Sequence, residues 1–208
     1  GPFHGMQAEK VRVPFANVGL VRIPEGVSDE QAILISDIFP TGYFGAELAE
    51  IKQGDTVAVF GCGPVGQFAI ASALLLGAGQ VYAIDHLEDR LHMARQQGAE
   101  VINFDQEDPV ATLLRLTAGI GVDRAIDAVG VDAEQPRETA RRGETGHFRE
   151  EMATVAPHTH PDGDNWHPGD APSQVLQWAV EGLAKAGTLG IIGVYPEQAR
   201  SFPIGLAM

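Results

Sequence analysis

Cysteine is almost absent: Cys62 stands alone among 208 residues, so no internal disulfide can form. No charged N-terminal stretch followed by an apolar core opens the chain, so a secretory leader is not indicated and a reducing cytoplasm is the expected setting. Cations are scarce as well. The 14 Lys and Arg against 28 Asp and Glu leave a formal net charge of -14, and such an exterior repels nucleic-acid phosphates and anionic membrane surfaces, so neither is an expected partner. Apolar runs such as residues 68–78 stop short of the roughly 20 residues that a membrane span requires.

What the sequence does contain is enough apolar residues, 44% of the total, to bury a core the size of one ordinary domain with a modest appendage. Residues 8–23 alternate apolar and polar positions and are rich in Val, with Pro14 and Asn17 as breakers, which predicts short antiparallel strands. Ser28 with Gln31 three positions on makes a capping box for a helix running toward Pro40, and a second helix is expected over Gly42 to Ile51. From residue 56 the pattern becomes regular. Nearly all-apolar strands are expected at 56–60, 80–85, 100–104, 122–129 and 188–194, with helices between them near 64–76, 87–97, 108–118 and 173–185. Strands that are apolar on both faces and separated by helices predict an α/β fold with a doubly wound parallel sheet.

Gly61, Gly63 and Gly66 form G-x-G-x-x-G directly after the first of these strands and at the start of a helix. In such a turn the first glycine allows the tight bend, the second lets backbone approach a pyrophosphate, and the third permits close helix-to-strand packing. Pro64 occupies a first helical position, where a missing N–H costs nothing, so the helix N-terminus is left to face an anion. Glycine turns occur in many folds; the surrounding strand and helix make this one informative. Asp85 ends the second strand, 24 positions after Gly61. A carboxylate there can accept from ribose hydroxyls and repel a 2′-phosphate, which favours NAD over NADP; it could equally cap the next helix. Arg90 could lie over an adenine, pair with Asp85, or be a solvated helix residue. Cys62 sits at a variable turn position that needs only a small residue, and it is not expected to act as a nucleophile.

The run SDIFPTGYFGAELAEIKQGDTVAVFGCGPVGQFAI, followed by VYAID, GVDRAIDAVG and GTLGIIGVYP, resembles the zinc-dependent medium-chain alcohol dehydrogenases over nearly the whole chain. It looks closest to the branch of glutathione-independent formaldehyde dehydrogenases and formaldehyde dismutases. The resemblance implies a Rossmann-type NAD-binding domain and a small-molecule alcohol or aldehyde substrate, with catalytic zinc in the intact enzyme. Most of that family places a zinc-ligating cysteine where the formaldehyde branch has aspartate, and here Asp37 stands at that position. It is the implied zinc ligand, although the local sequence alone reads it as a helix cap. The resemblance also sets Thr41 beside the nicotinamide ring, Val65 against the nicotinamide ribose, Ile192, Gly193 and Val194 at the carboxamide edge, and Val129 and Gly130 flanking the cofactor.

Departures from the family pattern accompany these matches. The cysteine and histidine ligands that its GroES-like domain supplies are missing, as is a four-cysteine structural zinc lobe. Residues 1–27 resemble the tail of that GroES-like domain, residues 28–208 are expected to form the NAD-binding domain, and the chain stops just before the family's sixth sheet strand. A homo-oligomer, dimer or tetramer, is expected because that strand normally meets its symmetry mate and an uncovered strand edge invites pairing. Residues 131–172 interrupt the rhythm as an inserted segment, functional, partly helical or mobile. Its His158, His160 and His167 do not have the spacing of a closed metal site, and Trp166 with four prolines more plainly packs the loop. Two other classes compete with the enzyme reading. One is an NAD-binding or sensing module without chemistry; the other, an S-adenosylmethionine-dependent methyltransferase, leaves PTGY and the full glycine pattern unexplained.

Overall fold

The computed structural model describes residues 8–142, 146–155 and 169–208. Five parallel strands, β1 (Thr56–Phe60), β2 (Gln80–Asp85), β3 (Glu100–Asn103), β4 (Val122–Asp127) and β5 (Leu183–Ile191), form one sheet in the order β3-β2-β1-β4-β5. The order reverses beside β1, so the crevice beyond the carboxyl ends of β1 and β4 is the natural ligand position of a doubly wound sheet. Alternation along each strand divides the core. Val57 and Val59 of β1 face the helices α3 (Ile38–Leu48), α4 (Pro64–Leu75) and α5 (Glu88–Gln96), meeting Ala46, Ala69, Ile70, Ala73 and Leu91. Ala58 and Phe60 face the other way, toward Leu113 of α6 (Pro109–Leu116) and Val175 and Trp178 of α9 (Gln174–Gly182). Both sheet faces are therefore covered, which is why these strands lack the polar alternation of a half-exposed sheet.

The small residues of α3 and α4 set how closely these helices pack. A side chain at Gly42 would meet Phe68 Cβ at 2.8 Å, and one at Gly45 would meet Ile192 Cδ1 at 2.7 Å. Near Ala49 the same helix lies against Gly190. From Ala49 back to Gly42, α3 thus runs antiparallel to β5, and its N-terminal residues project past the sheet's carboxyl edge.

Most expected elements are found, with instructive differences. The Ser28 capping box is present on α2 (Asp29–Ile35) in both directions. The next helix begins at Ile38 instead of Gly42, because Pro40 falls within its first turn, where no intrahelical N–H is needed. The strands expected over residues 8–23 are not formed; the described part holds only a short helix, α1 (Ala16–Gly19), after Phe15 at φ 53°. Alternation favours a strand only when a ladder partner lies alongside, and the sheet order leaves none for this segment. Phe15, Val18 and Val21 are instead exposed. The helix expected over 173–185 stops at Gly182, and β5 starts at Leu183, five residues earlier than expected. A register irregularity between Val122 and Arg124 absorbs the left-handed Ala186. β4 and β3 each end sooner than expected, at Asp127 and Asn103. The inserted segment is partly helical, with α7 (Arg137–Arg142) and α8 (Gly146–Val155); its histidine tract lies outside the described residues. A last short helix, α10, covers Ile204–Ala207.

Candidate cofactor site

Beyond Phe60 the chain turns through Gly61 and Gly63 into α4. Gly61 has φ +86°, and a side chain there would strike Val129 Cγ2 at 2.5 Å. A Cβ at Gly66 would overlap the carbonyl oxygen of Gly61, so this glycine lets the helix close onto the strand. Gly63 differs from both. Its missing side chain would face open space, the nearest atoms being the Arg90 guanidinium at 3.9 Å. Pro64 begins α4 and is exposed, while Val65 is half-buried. The N–H groups of Val65 and Gly66 belong to the helix's first turn, which has no intrahelical acceptors, and this is the chemistry of an anion cradle.

Asp85 is 4% exposed and already heavily used. Its Oδ2 accepts from Cys62 N at 2.8 Å, and its Oδ1 accepts from His86 N at 2.7 Å and Leu87 N at 2.9 Å. Arg90 Nη1 stands 3.7 Å from Oδ2. The residue thus ties the glycine turn to the β2–α5 turn, and with about four acceptor positions on a carboxylate it keeps capacity for a further donor. Gln67 reinforces this junction, its Nε2 donating to the carbonyls of Cys62 and Arg90. Burial, with the Asp85 carboxylate adding to it, pushes the Cys62 thiol far above its ordinary range, which makes it a poor nucleophile.

Of these residues, Gly61, Gly63, Asp85 and Arg90 line one cleft of about 280 Å³, together with His86, Phe104, Asp132, Glu134 and Trp178. His86 stacks on Phe104 with ring centroids 4.8 Å apart. Its Nδ1 and Nε2 lie 3.3 Å from Asp105 and Glu134 respectively, and Arg137 Nε reaches the same Asp105 at 3.0 Å. The start of the inserted segment is thereby held at the rim of the cleft. Sequence reasoning overlooked His86 and Glu134; the position following the strand-end acid was the available signal for His86, whereas Glu134 comes from a segment without periodicity.

On the other side of Gly61, Val129 and Gly130 lie just beyond the end of β4. Gly130, at φ +71°, bridges Val194, and Ile192 N and Gly193 N donate to the Asp127 carbonyl at 3.0 and 2.9 Å. Ile192 and Gly193 are partly buried and Val194 is 76% exposed. Asp127 itself was also overlooked, because it reads as part of an apolar strand, yet it is wholly buried. At the projecting end of α3, Thr41 Oγ1 donates to Asp37 Oδ1 at 3.0 Å. Asp37 occupies the N-cap position, but its side chain accepts no backbone N–H there.

The zinc-binding dehydrogenase family model matches residues 64–143. An alcohol dehydrogenase of Cupriavidus necator is 49% identical over 130 residues, which are 62% of this chain and 36% of that protein. The glutathione-independent formaldehyde dehydrogenase of Bacillus subtilis is 35% identical over 200 residues, 94% of this chain and 42% of the relative. This chain is a homologue of the zinc-type alcohol dehydrogenases. Among solved structures, the alcohol dehydrogenase TADH of Thermus sp. ATN1 superposes with a TM-score of 0.71 at 34% identity, covering 96% of this chain and 45% of that one. The chain therefore spans less than half the length of each of these relatives. Catalytic zinc in such a fold needs three protein ligands and an open position. Among the described residues, no three His, Cys, Asp or Glu side chains converge as a metal site; Asp37 would supply at most one ligand, and these residues do not by themselves fit the ion. No helix among them is long and apolar enough to cross a membrane.

Proposed function

We propose that this chain is the NAD-binding half of a zinc-dependent dehydrogenase that passes hydride between NAD and an alcohol or hydrated aldehyde, formaldehyde among the candidates. The observation that carries the reading is the convergence of Gly61, Gly63 at the N-cap of α4, Asp85 and Arg90 on one cleft outside the carboxyl ends of the strands. In this reading the pyrophosphate rests over Gly63, Pro64, Val65 and Gly66, and the adenosine ribose meets Asp85. The nicotinamide lies between Val129–Gly130 and Ile192–Val194, with Thr41 beside it. Bound NAD would supply the hydride acceptor; the chain's own part is to hold the adenosine and nicotinamide ends of that molecule. Asp37 serves as one zinc ligand, the others coming from outside the described residues. Residues 28–208 are the cofactor domain and residues 1–27 the tail of the neighbouring one. The intact protein is taken to be a cytoplasmic oligomer.

The preference for NAD follows from charge. A 2′-phosphate on the ribose would enter a cleft lined by Asp85, Asp132 and Glu134, with Arg90 as an opposing cation. Calorimetric titration of the chain with NAD and NADP tests the site. NAD binding with affinity at least roughly tenfold above that of NADP is expected, since about 1.4 kcal/mol of repulsion suffices for that ratio. Equal affinities would remove Asp85 as the discriminating group, and binding of neither would remove the cofactor reading for this chain.

A further inference from the structure

Asp127 is a carboxylate with 0% exposure, and among the described residues no cation pairs with it. A buried charge or polar group persists only if donors compensate it, and the donors here are specific. Oδ1 accepts from Val129 N at 2.9 Å and Gly130 N at 3.0 Å, and Oδ2 accepts from the Tyr195 hydroxyl at 2.6 Å. Its backbone carbonyl takes Ile192 N and Gly193 N. One residue thus ties together the two segments that follow β4 and β5.

Those segments touch backbone to backbone. A Cβ at Gly130 would overlap Val194, a Cβ at Gly193 would overlap Gly130 N, and Val131 N donates to the Val194 carbonyl at 3.0 Å. With glycine at both contacts, side-chain packing cannot set the spacing between them. The hydrogen bonds that Asp127 accepts do so together with that of Val131 N to the Val194 carbonyl, and Tyr195 closes the arrangement from beyond the second segment.

We propose that Asp127 and Tyr195 are a positioning pair that shapes the nicotinamide end of the cofactor cleft and leaves the adenosine end untouched. The inference rests on the reading that residues 129–130 and 192–194 receive the nicotinamide. The adenosine end is held independently, by Asp85, Cys62, His86 and Leu87, so the two ends are separable by experiment.

The test is to titrate the wild-type chain and the variants Y195F, D127A and D127N with NAD and with ADP-ribose, which has every part of NAD except the nicotinamide ring. Y195F and D127A should weaken NAD by roughly five- to tenfold, the order expected for loss of one ordinary hydrogen bond. ADP-ribose should change by less than about twofold, because the bonds of Asp85 remain intact. D127N, equal in shape and able to keep Oδ1 as the acceptor for Val129 and Gly130, should recover most of the NAD affinity. Should D127A fail to fold, Y195F, which removes a single hydroxyl, carries the comparison. Parallel losses for both ligands, an unchanged NAD affinity, or a wild type that binds NAD no better than ADP-ribose would each overturn the proposal. A wild type that binds neither ligand would instead remove the cofactor reading on which it stands.

Discussion

Two strand-end aspartates show how one residue type acquires different tasks. Asp85 meets backbone donors and the Arg90 guanidinium, whereas Asp127 meets neutral donors and is fully enclosed. Burial therefore holds the Asp127 carboxyl above its ordinary range against the opposing pull of Tyr195 and the two amides, and burial with the neighbouring carboxylate pushes the Tyr195 hydroxyl up as well. A raised carboxyl pKa in the folded state means that folding is favoured with the proton on and loses that contribution as pH rises through the folded value. Asn cannot lose such a proton. The stability difference between D127N and the wild type should thus move in favour of D127N as pH rises above about 4, the ordinary carboxyl range. Urea denaturation of both at pH 4 and pH 7 measures it; a difference that stays constant would mean that Asp127 titrates normally.

The β1-to-α4 turn combines three glycines that look alike in a sequence and behave differently in the structure. Gly66 has no room for a methyl group, and Gly63 has ample room. G66A should accordingly lower stability by about 1–3 kcal/mol, as overpacked sites do, and weaken NAD through the displaced helix end. G63A should leave the denaturation midpoint nearly unchanged and weaken NAD selectively, because its methyl group would stand where the pyrophosphate approaches. Thermal unfolding and calorimetry on the two variants separate these outcomes, and equal destabilisation by both would mean that Gly63 is structural. Helix α3 adds a second lesson at this scale. Its start at Ile38 carries Asp37 and Thr41 to the sheet's carboxyl edge, and Asp37 there accepts the Thr41 hydroxyl without capping the helix backbone.

At the scale of the molecule, the sheet is open along β5, whose outer side has no strand partner among the described residues. A nine-residue edge strand without a second ladder partner is a template for pairing, so sedimentation should detect association at high concentration; a species that stays monomeric throughout would argue against the oligomer proposal. The exposed Phe15, Val18 and Val21 on the N-terminal segment are a further apolar surface uncovered by this chain. The zinc proposal belongs to this scale too, since one carboxylate cannot close a catalytic site. In a version extended to the length of the relatives, D37A should lower zinc-dependent NAD reduction at least about a hundredfold, the order seen on loss of an essential polarising group, and retained full activity would remove Asp37 from the mechanism.

The sequence by itself determined the strands of the parallel sheet, the glycine turn and Asp85, because strands buried on both faces and a turn with a required backbone shape each need particular residue types at particular spacings. β1 and β2 were legible to the residue for that reason. Other features depended on neighbours distant in the chain. The alternation of residues 8–23 is a strand signal without a partner to complete it, and the early start of β5 follows from pairing with β4. Asp127 looked like one more position of an apolar strand; a charged residue in such a strand signals a required partner, but only the fold shows that Val129, Gly130 and Tyr195 supply the donors. The encounter of His86 with Glu134 likewise spans elements that no local pattern relates. Local chemistry specified the pieces, and tertiary packing decided which polar groups met, since buried donors and acceptors are satisfied by whatever the topology brings within reach.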